Sequence, residues 1–280
     1  LTAGCASQAE RKDSVVGIRQ ESGENSNWNA HGGTDRVARA ARAGNVIAQR
    51  HMGLMCLRGD GVAKDYEQAL YWFTAAAQQG DAVSQWHLGA MYERGDGAKQ
   101  DYAQALRWFS AAAEQGDAAA ARSLGLLYLH GFGVSRQADA AFELFQYAAE
   151  RGDVIAQGNL GVVYLRGDAV LEDEADPEEV TGTINAPAGA TLAADGRRNF
   201  EKALYWLNRA AAQHNADAQF VLGLMLMRGD GVIADPRTAY VWLYQAAERG
   251  IVEAVEPRDQ CAQLLGEVEL RDARGDAERG

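Results

Sequence analysis

The chain has 280 residues, a net charge of −12 at pH 7 and 47% hydrophobic residues. That negative balance excludes a general nucleic-acid binder, whose footprint is basic, and no apolar run reaches the ~18 residues of a membrane-spanning helix. Three cysteines, Cys5, Cys56 and Cys261, have neither the even count of a disulfide framework nor a zinc or redox spacing.

The chain opens LTAGCAS without an initiator Met, so a fragment or a processed form is expected. Thr-Ala-Gly before Cys5 resembles a bacterial lipobox, where a signal peptide is cut and the cysteine lipidated. Thr2 departs from the usual Leu or Val. Residues 7–33 are polar and rich in Ser, Asn, Gly and Glu, as expected of a disordered tether over 1–33. Residues 34–44, TDRVARAARAG, read as a lone second helix that caps the first full unit.

From residue 45 the chain repeats itself. Trp72, Trp108, Trp206 and Trp242 share one context, with Ala three residues earlier and an Ala pair four and five residues later. Trp72 to Trp108 is 36 residues, a period that marks a stacked array. Within 81–116, Ser84, Leu88, Gly89, Met91 and Tyr92 form one helical stripe. Tyr102, Ala105, Leu106, Trp108, Phe109 and Ala112 form a second. Gly95-Asp96-Gly97 supplies the turn between them. Asp101 is placed to cap the second helix, Gly116 to end it, and Asp117 to cap the next first helix. Such a unit buries its stripes only by stacking on neighbours. Cys56 falls where other units have Tyr and reads as a buried free thiol.

Full units run over 45–80, 81–116 and 117–152. The third has Leu144 in place of Trp and Gln137-Ala138 in place of Asp-Tyr. A fourth starts at Asp153, is interrupted by an insertion over 168–198, and ends at His214 where Gly is expected. The fifth spans 215–250. Ile251 starts another, but Pro257 is expected to break its first helix. A helix over about 258–271 reads as a terminal cap, and 272–280 as a polar tail. The expected fold is all-α, one solenoid of about five helix-turn-helix repeats plus caps over 34–271. The insertion carries Glu172, Asp173, Glu174, Asp176, Glu178 and Glu179 without the spacing of a Ca²⁺ loop. It reads as a solvated acidic loop that can fold back over a basic stripe.

The motifs ALG-x-x-Y, GDGV-x-x-D and KA-x-x-W-x-x-x-AA resemble the Sel-one-like repeat (SLR) family, a relative of tetratricopeptide repeats. They are seen in Leu222-Gly223, in Gly229 to Val232 with Asp235, and from Lys202-Ala203 through Trp206 to Ala210-Ala211. The resemblance covers roughly 34–254. It implies an α/α superhelix whose first helices line a concave face, and adaptor or scaffold work in protein complexes. By the tetratricopeptide analogy, that face carries Arg58, Arg94, His130, Arg166 and Arg228, each just before the first turn glycine. Arg50, Trp86, Arg122 and Phe220 join it, with Leu57, Glu93, Leu129, Leu165 and Met227. Arginine forks suit carboxylates, so an acidic peptide or a C-terminal carboxylate is the expected ligand. A competing role is that each cation complements its helix dipole.

No nucleophile, phosphate loop or cofactor motif stands out. His51 and His87 occupy equivalent places in adjacent units, but no ligand set accompanies them, so neither metal nor cofactor is expected. The reading is a non-catalytic protein-interaction scaffold, a periplasmic lipoprotein held at the outer membrane through Cys5. An envelope hydrolase or peptidoglycan-active enzyme, and a cytosolic signalling scaffold, are the alternatives.

Overall fold

A computed structural model describes residues 32–166 and 199–279. The expectations for Cys5, the tether up to residue 31 and the acidic insertion lie outside the described residues. Among these residues all regular structure is helical. The chain divides into two compact units, Leu1–Gln115 and Gly116–Gly280. The division falls at the boundary between two repeats.

The first unit holds α1 (Gly32–Arg42), α2 (Val46–Arg58), α3 (Tyr66–Gln78), α4 (Ala82–Arg94) and α5 (Tyr102–Glu114). Each packs on the next: α1 on α2, α2 on α3, α3 on α4 and α4 on α5. The helix starts follow from side-chain caps. Asn45 Oδ1 accepts from Ala48 N at 2.9 Å, and Asp81 from Ser84 N at 2.9 Å. Asp101 accepts from both Ala103 N and Gln104 N. Each such cap contributes about 1 kcal/mol. Each hairpin closes by one backbone bond, Asp65 N to Cys56 O and Asp101 N to Tyr92 O, both 2.9 Å.

The two helices of a hairpin meet at a glycine. A Cβ added at Gly53 would stand 2.7 Å from the Phe73 ring, and one at Gly89 would stand 2.7 Å from Phe109. Phe73 and Phe109 are fully buried, so the residue after the tryptophan, not the tryptophan itself, fills the hairpin. Trp108 is only half-buried. The second turn glycine meets a neighbouring hairpin. At Gly97, with φ 75°, a Cβ would stand 2.4 Å from Tyr66 O. Both the backbone angle and the close approach therefore demand glycine.

The second unit holds α6 (Ala118–His130), α7 (Ala138–Glu150), α8 (Val154–Arg166), α9 (Phe200–Ala211), α10 (Ala216–Arg228) and α11 (Pro236–Glu248). Its sockets are Gly125 under Phe145, Gly161 under Leu207 and Gly223 under Leu243. Replacing Trp by Leu144 thus leaves the third hairpin's packing residue in place. The fourth hairpin closes from Asn199 N to Tyr164 O at 3.0 Å, as uninterrupted hairpins do. His214 adopts φ 63° at the helix end where other repeats carry Gly. Its Nδ1 lies 3.0 Å from Arg249 Nη2.

The C-terminal end corrects two expectations. A 3-10 turn, Val252–Ala254, leads into α12 (Val255–Leu264), so Pro257 lies in a first helical turn, where its missing N–H leaves no bond unmade. Residues 267–279, taken in large part as a polar tail, form α13 (Glu267–Arg279). Only Ala273 and Ala277 of this helix are buried. Both α12 and α13 pack on α11.

Candidate functional site

The buried polar positions form a register along the first helices. Gln49, Gln85, Gln157 and Gln219 are buried and recur at the same place in their helices. Each donates its amide to a carbonyl eight residues back: Gln49 to Ala41 O, Gln85 to Ala77 O, Gln157 to Ala149 O and Gln219 to Ala211 O, at 3.1–3.2 Å. Those carbonyls end the preceding second helix, where each also accepts a backbone N–H three residues on, from Gly44, Gly80, Gly152 or His214. The glutamine oxygens in turn accept from Gln79, Gln115 and Gln213 at 2.7–2.8 Å. In the fifth repeat Gln219 donates to Gln245 Oε1, and Gln245 donates to Ala277 O. Sequence reasoning passed over these residues, although glutamine recurs in step with the repeat.

The nine residues expected to line the groove separate into two groups. Arg50 and Arg122 are engaged within the fold. Arg50 Nη1 donates to Asp81 Oδ1 at 2.7 Å, and Arg122 Nε lies 3.1 Å from Asp153 Oδ1. Each holds a carboxylate that caps the next first helix. In the fourth repeat Gly158 takes the arginine's place, and the next cap there is the neutral Asn215. These two arginines therefore neutralise cap charges; in the second repeat Trp86 takes their place although the next cap is Asp117. Phe220 packs on the hydrophobic cluster around Tyr240 and Leu243, as does Met227. Leu57 and Leu165 likewise pack on buried clusters. Trp86 is half-buried and edge-on to His87, with ring centres 4.7 Å apart.

The other group lies in the last turn of each first helix, where the pattern puts it. Arg58 and Arg94 are exposed in the first unit; His130, Arg166 and Arg228 are exposed in the second. Arg94 donates to Asp96 Oδ2 at 2.7 Å with its side chain still 54% exposed. His130 stacks on the exposed Phe132 at 5.4 Å. Position at the helix C-terminus satisfies the dipole, and exposure leaves the charges open to solvent.

Among the described residues, burial is the main cause of shift for both cysteines and His87. Burial, then the carboxylate of Asp65, push the Cys56 thiol up to about 11, so it is protonated at neutral pH and a poor nucleophile. Burial also raises the Cys261 thiol. His51 is exposed, whereas His87 is half-buried and stacked on Phe73 at 4.8 Å. Burial, with the charges of Arg58 and Arg94, lowers His87 to about 4; Asp81 opposes them. Among the described residues no group of three or more His, Cys, Asp or Glu is placed to hold a metal ion. No described helix is long and apolar enough to cross a membrane.

Six stretches, 46–81, 82–117, 118–153, 154–177, 192–215 and 216–251, match the Sel1 repeat. The chain belongs to the Sel1 repeat family. Proteins of this family are generally protein-interaction scaffolds, typically without catalysis. Among solved structures, the chain resembles c5321, a protective antigen of uropathogenic Escherichia coli with an SLR fold. Identity is 32% and the TM-score 0.68, over 88% of this chain and 48% of that one. A Sel1 repeat protein of Oxalobacter formigenes matches at 32% identity and a TM-score of 0.62, over 80% of this chain and 57% of that one. A curated relative, chitin synthase regulatory factor 3 of Schizosaccharomyces pombe, is 42% identical over 57 residues, 20% of this chain and 6% of the relative. The chain thus spans about half the length of the two structural relatives and a small part of the yeast protein.

Proposed function

We propose that this Sel1 repeat chain is a non-catalytic scaffold that captures carboxylate-bearing or acidic protein segments along its first helices. The observation that carries the reading is the division among its cations. Arg50 and Arg122 hold the carboxylates that cap the next helix, while Arg58, Arg94, Arg166 and Arg228 end first helices with exposed side chains, Arg94 reaching only the turn carboxylate of Asp96, and the exposed His130 stands at the same place. A guanidinium in that position offers a fork of donors to a carboxylate. Within the first unit, Arg58 and Arg94 lie one repeat apart and flank His87 electrostatically.

The scaffold is further proposed to work at the periplasmic side of an outer membrane, tethered by a lipid on Cys5. The Thr-Ala-Gly-Cys sequence supports this. Metabolic labelling with an alkyne palmitate, wild type against Cys5→Ser, tests the tether when the protein is expressed behind a lipoprotein signal peptide. Label lost in the variant supports it, and equal label sinks it.

Affinity capture followed by mass spectrometry tests the binding reading. The Arg58→Gln/Arg94→Gln chain is expected to melt within about 1–2 °C of wild type, because exposed charges contribute little to stability, and to lose the captured partner. A lower melting temperature with the partner retained would instead make the arginines dipole complements only.

A further inference from the structure

The C-terminal end of the second unit carries a surface that no regular hairpin leaves open. Ile251 stands one 36-residue period after the cap Asn215, so α12 occupies the place of a sixth first helix. Its inner face behaves as such. Ala254 and Cys261 are buried, as are Ala218 and Met225 one period earlier. Its other face does not. In the fifth repeat Gly223 lies under Leu243, with space for no Cβ. The corresponding residue of α12 is Asp259, whose side chain is 57% exposed. The helix that would cover it, α13, packs on α11 instead. Gln245 Nε2 to Ala277 O and an Arg237–Asp276 pair hold α13 there.

The face left open is apolar at one end and acidic along its length. Val252 is 77% and Val255 38% exposed. With Glu256, Asp259, Gln260 and Gln263 they line an open hollow. Glu253 and Glu256 are exposed, and the one cation of the segment, Arg258, is half-buried and turned onto Asp259 at 2.7 Å. Leu264, at the end of the same helix, is 68% exposed. Asp259 in the socket position rules out a further repeat of the regular kind, because a second helix would set an aromatic or Leu side chain against a carboxylate. Lysine or arginine beside leucine fits: the cations meet Glu256 and Asp259, and the apolar side chains meet Val252 and Val255.

We propose that the open face of α12 is a docking surface for a basic amphipathic helix of a partner protein. Its chemistry is opposite to that of the first-helix cations, so the chain has two binding surfaces of unlike charge. Helix-in-groove recognition of this kind takes its affinity from apolar anchors and its register from the charges.

The test uses the full chain and a fluorescein-labelled peptide of repeated LKKLLKL, followed by anisotropy at physiological salt. Glu256→Lys/Asp259→Lys is expected to weaken binding at least about tenfold, and Val255→Ser about five- to tenfold. These exposed substitutions leave the melting temperature unchanged, and Arg58→Gln/Arg94→Gln leaves the peptide's affinity unchanged. That last arm separates this surface from the first-helix site. Equal affinity in all chains would show attraction to the net negative charge alone and overturn the proposal. So would a wild-type chain that ignores the peptide but sediments as a dimer dispersed by Val255→Ser, since the occupant would then be a second copy.

Discussion

The second and third hairpins have the same length and helix boundaries, yet are held by different bonds. In the second, Gln85 joins Ala77 O to Gln115, Asp101 caps α5 twice, and Trp108 flanks the core. In the third, Ala121 stands in the glutamine's place and Arg151 in that of Gln115. Arg151 turns to its own helix, over the Tyr147 ring and onto Tyr147 O. Gln137 makes no side-chain cap bond, and Leu144 replaces the tryptophan. What both retain is the glycine socket, Gly89 under Phe109 and Gly125 under Phe145. Apolar interlocking therefore defines the hairpin, and the polar bonds grade its strength.

The largest effect should fall on what the two share. Phe109→Ala and Phe145→Ala should each lose about 3–5 kcal/mol in urea denaturation. A loss confined to one hairpin would break the comparison. A smaller effect should fall on one side only. Gln85→Ala removes two hydrogen bonds, to Ala77 O and from Gln115, although Gly80 N and Ala111 O keep those groups paired, and should cost about 1–3 kcal/mol. Ala121→Gln with Arg151→Gln rebuilds the pair in the third hairpin and should recover up to about 1 kcal/mol.

Acid sharpens the contrast further. His87 titrates near 4 in the fold against an ordinary 6.5, and Ser123 takes its place in the third hairpin. Below pH 6.5 the unfolded chain binds a proton that the folded chain refuses. The stability tied to neutral His87 is thus complete above pH 6.5 and is lost as pH falls from 6.5 to 4. The loss should be on the order of 1–2 kcal/mol, and His87→Ser should remove this part of the pH dependence of melting. The smallest effect concerns caps. Gln137→Asp should stabilise α7 by about 1 kcal/mol, and Asp101→Ala should destabilise α5 by as much.

Much of this was readable from periodicity. The caps Asn45, Asp81 and Asp117, the turn glycines and the hairpin boundaries follow from local chemistry repeated every 36 residues. Long-range choices were not readable. Arg50 and Arg122 find cap carboxylates 31 residues away, a pairing that no local pattern announces. The buried glutamines went unread, because nothing local tells that a preceding helix ends over them. Residues 272–279 of the last helix, α13, read as a tail because that helix buries only Ala273 and Ala277.

Native-state hydrogen exchange on the full chain tests the central claim most directly, because it reads the free energy of opening helix by helix. Shared sockets with unequal polar bonds predict that amides of α6 and α7 exchange through an opening about 1–3 kcal/mol cheaper than those of α4 and α5. Equal protection in the two hairpins, or stronger protection in the third, would contradict it.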